Sequence, residues 1–231
     1  MIFFKYLFIF CLFSVVGWIL ELTYRSITNK KFVNPGFMSG CVVPIYGFGS
    51  VIMYLLCNLF SSINSNYKII IIFILSVILL TALEFLSGFI LLKYFNLRLW
   101  DYSKCKYNYK GFICIEFSMI WGLLALLFYL FIYPYIGNIA TNFINNPTNL
   151  FLLGIFMGIF FVDLGVSIGL LNKLNKYAKI ISATVDVERL RLDIRRKLRK
   201  GKFINAIYPY ISTNKFLSES IKEVKNEDIK K

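Results

Sequence analysis

The chain has 231 residues, 58% of them hydrophobic, and carries 26 Lys and Arg against 12 Asp and Glu, a formal net charge of +14. A soluble domain of this length cannot bury so much apolar surface, so the composition excludes a soluble globular protein and indicates a multi-pass membrane protein. There is no histidine, and the five cysteines show no CxxC spacing. We therefore expect no metal site and no cofactor.

Five apolar stretches of about 19–25 residues are each long enough to cross about 30 Å of hydrocarbon as a helix. The sequence thus predicts an all-α fold with five transmembrane helices, the second being the weakest because Pro44, Gly47 and Gly49 interrupt its start. The predicted spans are Phe3–Ser26, Val43–Ser61, Ile69–Lys93, Phe112–Tyr133 and Leu150–Leu171.

The first span ends with Glu21 and Arg25, spaced i, i+4 in the order that favours an intrahelical ion pair. After it, the segment Asn29–Ser50 is rich in proline and glycine. Irregular backbone at membrane depth persists only where protein or water satisfies its amides, so this segment either re-enters the membrane or is an ordinary tight connection. We expect a type II turn at Pro35-Gly36, a helix start at Pro44, and unusual backbone angles at Gly40, Gly47 and Gly49.

Glu84 lies in the middle of the third span, flanked by leucine and isoleucine. A charge at mid-helix in hydrocarbon costs about 2.5–3.5 kcal/mol. We therefore expect Glu84 to be neutral, to pair with a cation such as Arg25, or to handle a proton or cation. Glu116 begins the fourth span, where an interfacial position is the simpler interpretation.

In the fifth span, small residues share one face and Asp163 lies on the opposite one. Such small-xxx-small faces are typical of close helix packing. The glycines are Gly154, Gly158, Gly165 and Gly169.

The basic residues alternate between the two sides of the membrane. In a five-span topology one side carries 24 Lys and Arg and the other carries 2. The positive-inside rule then predicts an outside N-terminus and a cytoplasmic C-terminus. At about 1.5 Å per residue, all four acids lie within about 14 Å of the cytoplasmic boundary, so we expect a polar cavity there. The candidate pathway residues are Glu21, Arg25, Asn34, Tyr46, Glu84, Glu116 and Asp163.

Two further cytoplasmic segments have distinctive composition. In Arg98–Gly111, Trp100 and Tyr102 favour the interface, and Asp101 could cap a short helix or bind a cation. Together these three predict a docking surface for a partner. Residues 1–172 form the predicted membrane domain and 173–231 a basic tail, with an amphipathic helix at about 180–200. The tail is expected to contact anionic lipid headgroups rather than nucleic acid, or to pair with a partner or a second copy.

Several motifs together resemble the CmpB-type putative ABC-transporter permease family over about Phe3–Leu171. They are GWILELTYRSI (Gly17–Ile27), KFVNPGF and PIYGFG (within Lys31–Gly49), the Glu84 helix, LRLWDYS (Leu97–Ser103) and MIWGLL (Met119–Leu124). The matching positions are Glu21, Asn34, Gly36, Gly40, Pro44, Tyr46, Gly47, Glu84, Trp100, Asp101, Tyr102 and Trp121.

The resemblance implies a permease-like subunit in the cell membrane. Its bilayer-embedded cavity would pass a solute or ion, with Glu84 and Asp163 binding cations or protons. Because the sequence has no GxxxxGK[ST] motif, ATP hydrolysis would belong to a separate ATP-binding subunit. Two alternatives are a non-transport accessory or sensor protein and an intramembrane lipid-modifying enzyme with Glu84 or Asp101 as general base. We expect no enzymatic activity in the chain itself.

Overall fold

A computed structural model describes residues 1–30, 37–63 and 67–180 of the chain, with side chains up to residue 172. Helices dominate the described ranges, and their only sheet is one hairpin of two-residue strands. The predicted all-α class is confirmed. The elements are α1 (Ile2–Asn29), α2 (Pro44–Leu59), α3 (Lys68–Phe95), β1 (Asn108–Tyr109), β2 (Ile113–Cys114), α4 (Ile115–Leu127), a π-helical turn (Phe128–Ile132), α5 (Tyr133–Ile144) and α6 (Pro147–Ile180).

In the described part of the chain, four helical segments are long and apolar enough to cross a membrane: Ile2–Thr28, Lys68–Phe95, Ile115–Ile144 and Pro147–Asn172. The remaining apolar helix, α2, has 16 residues. At 1.5 Å per residue it covers about 24 Å, which is shorter than a typical hydrocarbon core. The predicted count of five full-length spans is therefore not confirmed.

Helix α2 begins at Pro44, as predicted, with the proline in the first turn where its missing N–H is not needed. It runs antiparallel to α1. The Val43 amide donates to the Ser14 carbonyl (2.9 Å), whereas eleven residues later the Tyr54 ring lies 5.9 Å from that of Tyr6. Helix α2 thus starts level with the middle of α1 and returns to its N-terminal end.

The glycines of α2 allow close helix packing. None of Gly40, Gly47 and Gly49, where glycine permits unusual backbone angles, has a positive φ. A Cβ on Gly47 would overlap Ser14 Oγ and would lie 2.6 Å from the Phe10 carbonyl oxygen. Gly47 therefore marks a surface where α2 contacts α1, and it does not mark a bend in the backbone.

The fourth span extends further than predicted. The predicted span ends at Tyr133, but the helix continues to Ile144. A π-helical turn immediately precedes Pro134, with the Tyr133 amide donating to the Phe128 carbonyl. Proline supplies no N–H to the helix. The π-helical turn accommodates it by a local change in the backbone hydrogen-bond pattern, and the helix continues instead of ending. Its start is later than predicted, at Ile115, because Ile113–Cys114 pair with β1.

Two apolar clusters hold the helices together. The first joins residues of α1 to α5, among them Ile9, Cys57, Ile72 and Ala140. The second joins α1, the segment before α2, and α6, through Phe10, Met38, Val42, Leu153 and Phe160. Among the residues that the structure describes, the predicted packing of the α6 glycine face is not found. A Cβ on any of those four glycines would meet nothing within 4 Å.

The chain divides into two compact units. The first comprises Met1–Ile90 and Leu99–Ser167; the second comprises Leu91–Arg98 and the chain from Ile168 onward. In the second unit, α3 ends with Asn96 at φ 49, and the Leu97 amide donates to the Leu91 carbonyl (3.2 Å). Helix α6 continues to Ile180 without a break at residue 172. The predicted amphipathic tail helix and its lipid contacts lie outside the described residues.

Candidate functional site

Glu84 is buried in the first compact unit, with 3% of its surface exposed. The Tyr102 hydroxyl donates a hydrogen bond to Glu84 Oε1 (2.9 Å). The second oxygen, Oε2, is buried and has no hydrogen-bond partner among the described residues. The Trp121 side chain is a neighbour of the carboxyl group, although its indole does not meet hydrogen-bond distance and angle there. Glu84 therefore has one satisfied oxygen and one open oxygen beside an indole.

The open oxygen fits the neutral acid better than the carboxylate. Leaving one neutral polar group unsatisfied costs about 1–3 kcal/mol. An ionised carboxylate at this depth adds the cost of a charge in hydrocarbon, about 2.5–3.5 kcal/mol, and loses a further hydrogen bond to the charged group. In this arrangement Glu84 is therefore most stable with a proton bound.

The predicted ion pair at the inner end of α1 is confirmed. Arg25 Nη2 lies 2.7 Å from Glu21 Oε1, and Arg25 Nε donates to the same oxygen (2.9 Å). Arg25 Nη2 also donates to the Leu99 carbonyl (3.4 Å). The two side chains are 24% and 21% exposed, so the pair has access to solvent while it ties α1 to the segment that leads to Tyr102.

Tyr46 connects the two acids that the sequence predicted to meet. Its phenol is an electrostatic neighbour of Glu21, Glu84 and Arg25. Its ring centroid lies 5.5 Å from that of Trp121. Residues of α1, α2, α3 and α4 thus converge on one location. We call Glu21, Arg25, Tyr46, Glu84, Tyr102 and Trp121 the Glu84 cluster.

The segment between α3 and α4 folds back so that Tyr102 reaches Glu84. The Tyr102 amide donates to the Gly111 carbonyl (2.9 Å), and its ring stacks on Phe117 at 4.4 Å. Gly111 has φ 71, which allows the tight turn of the hairpin. Burial raises the pKa of Tyr102, and the nearby Glu84 raises it further. Tyr102 consequently remains a protonated donor.

The predicted docking surface is largely turned inward. Trp100 Nε1 donates to the Phe112 carbonyl (2.9 Å), and its ring approaches Gly88, where an added Cβ would lie 3.2 Å away. Tyr102 faces Glu84. Asp101 is exposed, and its Oδ1 accepts from the Ser103 amide (3.0 Å), so it caps a turn rather than a helix. Only Asp101 of the three presents its side chain to solvent.

Asp163 interacts with a different part of the chain. Its two oxygens accept from the Ser39 amide (3.1 Å) and the Gly40 amide (2.8 Å). Through these two hydrogen bonds, Asp163 anchors the segment that precedes α2.

This anchored segment lies at the level of the middle of α1. The Ser14 carbonyl that accepts from Val43 is 15 residues before the end of α1 at Asn29, which corresponds to about 22 Å along the helix. Irregular backbone at such a depth needs protein groups to satisfy its amides, and Asp163 and Ser14 supply them. The geometry favours the re-entrant alternative for this segment over the simple connection.

The remaining predicted pathway residues lie elsewhere. Glu116 is exposed in the first turn of α4, where the helix dipole favours an acid. Asn34 lies outside the described residues.

An apolar pocket lies beside the Glu84 cluster and is lined by Ile45, Gly49, Leu80, Leu83 and Trp121. The polar cavity expected from the sequence stays a prediction. The predicted pathway and docking residues did not include Trp121, although it is one of the positions that carry the family resemblance, in the MIWGLL motif. Its neighbour Gly122 packs closely on Phe73 and Val77, where an added Cβ would overlap both side chains.

Comparison with known proteins gives the family. No solved structure matches the chain. A family model described as "Putative ABC-transporter type IV" matches residues 8–168, which include every member of the Glu84 cluster. With four apolar helices long enough to cross a bilayer, the chain is a membrane protein of a transport family. The chain belongs to the ABC_trans_CmpB family of putative ABC-transporter type IV proteins.

Proposed function

We propose that this protein is the membrane-embedded, permease-like subunit of an ABC transport system and that passage of its solute or ion depends on the Glu84 cluster. The observation that carries the proposal is the burial of Glu84, 3% exposed on a helix of 28 apolar-rich residues. Ionisable residues inside spanning helices are costly and generally serve a function. The family assignment supports the transport class.

The proposed orientation places the Glu84 cluster toward the cytoplasm. It rests on the distribution of Lys and Arg, 24 against 2 between the two sides. Since the sequence contains no P-loop, ATP hydrolysis would come from a separate subunit bound at the cytoplasmic ends of the helices. Of the three predicted docking residues, exposed Asp101 is then the one available to that partner.

Glu84→Gln tests the proposal directly. Cells lacking the protein would be complemented with the wild type, Glu84→Gln or Glu116→Gln, and their solute and ion contents compared by mass spectrometry and elemental analysis. We expect the wild type and Glu116→Gln to restore the content of one solute or ion, and Glu84→Gln to lose most of that rescue at equal membrane levels. Glu116 is the matched control because it is an exposed acid of the same length.

A second measurement tests the partner. Membranes containing the tagged protein would be treated with photoreactive ATP before purification in mild detergent. We expect a labelled polypeptide to purify with the wild type and with Glu84→Gln alike. Identical solute contents with and without the protein, together with no ATP-labelled partner, would contradict the proposed function.

A further inference from the structure

We infer that Glu84 is a reversible proton-binding site that exchanges with cytoplasmic water through Tyr46 and Glu21, with Trp121 as the positioning residue that holds the ionised form. The inference rests on the proposed role of Glu84 and names the species that this site binds. It requires no metal and no other cofactor.

The first step concerns the open oxygen. Glu84 Oε2 is buried and without a hydrogen-bond partner among the described residues, while Oε1 accepts from Tyr102. When the proton leaves, Oε2 becomes a charged acceptor that needs a hydrogen-bond donor. The indole N–H of Trp121 is a donor beside this carboxyl group, and movement of the indole toward Oε2 would supply the missing hydrogen bond.

The second step concerns the path of the proton. The Tyr46 phenol lies beside both Glu21 and Glu84. If the phenol gives its proton to Glu21 and accepts the one from Glu84, the tyrosine is unchanged, Glu84 is ionised and Glu21 is neutral. Glu21 is 21% exposed and can release the proton to water.

The third step concerns what senses the proton. The groups beside Glu84 are Tyr102 before the hairpin, Trp121 on α4 and Tyr46 on α2. Tyr46 in turn lies near Glu21 and Arg25 on α1. Trp121 also lines the apolar pocket between α2 and α3. Movement of the indole onto Oε2 would change the shape of that pocket, so the protonation of Glu84 would be coupled to the space beside it.

Infrared spectroscopy of the purified full chain in lipid nanodiscs tests this inference. We expect a protonated-carboxyl band that titrates reversibly with pH, disappears in Glu84→Gln, shifts in frequency in Glu84→Asp and is unchanged in Glu116→Gln. Trp121→Phe should keep the band to higher pH, because the donor to the carboxylate is lost. Tyr46→Phe should slow proton exchange severalfold and leave the titration midpoint nearly unchanged.

The outcome is independent of any solute or ATPase partner. A carboxyl band that is absent at every pH, that never titrates, or that survives in Glu84→Gln would overturn the inference. The same holds if Trp121→Phe leaves the titration unchanged. Rescue of solute content by the wild type would still stand in each case, so failure here is distinguishable from failure of the proposed function.

Discussion

Replacing Gly47 with alanine should destabilise the protein by about 1–3 kcal/mol, the usual cost of forcing extra atoms into a close-packed site. The new methyl group would lie 2.6 Å from the Phe10 carbonyl oxygen and would overlap Ser14 Oγ. The serine side chain can rotate, but the carbonyl belongs to the backbone of α1 and cannot move without shifting the helix. Alanine favours the helical state over glycine by about 1 kcal/mol, which is too little to offset the overlap.

Gly158→Ala is the matched control for this prediction. It makes the same change within a helix, at a position where an added Cβ meets nothing within 4 Å. We expect it to leave stability unchanged or raise it by up to about 1 kcal/mol. Thermal unfolding in one detergent, followed by circular dichroism, would measure both variants. Equal and small shifts for the two would show that α1 and α2 are not packed as described.

The features that the sequence predicted correctly are local ones. The start of α2 at Pro44 and the pair of Glu21 with Arg25 each depend on residues within one or two helical turns. Their spacing alone determines which groups meet. The burial of Glu84 was also predictable, because an acid within a long apolar run has few alternatives.

The parts of the site that could not be predicted depend on long-range contacts. Tyr102 reaches Glu84 only because the hairpin turns the chain back before α4. Its motif neighbours Trp100 and Asp101 then point to different surroundings, although the sequence suggests one shared surface. The role of Asp163 depends on amides more than 120 residues earlier in the chain. The glycine patterns were equally ambiguous, because small side chains allow another helix to pack closely but do not show which helix does so.

Asp163→Ala should have the larger effect of the two stability variants. Asp163 accepts hydrogen bonds from the Ser39 and Gly40 amides, at 3.1 and 2.8 Å. Hydrogen bonds to a charged group each contribute about 1.5–3 kcal/mol, so losing both should cost about 3 kcal/mol or more. Asp163→Asn keeps one acceptor oxygen and should fall between the wild type and alanine. Glu116→Ala, which removes an exposed acid from the first turn of α4, should cost no more than about 1 kcal/mol.

The position of Cys41 allows the same variants to report on the re-entrant segment. Cys41 follows the anchored Gly40 directly and is exposed on the protein surface, where lipid would surround it if the segment lies at membrane depth. A water-soluble maleimide, with Cys41→Ser as the background to subtract, should therefore react slowly in the wild type and faster in Asp163→Ala. Fast labelling of Cys41 in the wild type would show that Asp163 does not hold the segment within the bilayer. A loss of stability in Asp163→Ala no greater than that in Glu116→Ala would show the same. Since irregular backbone cannot remain in lipid with free amides, release of Ser39 and Gly40 must either expose the segment to water or unfold its contacts with α6.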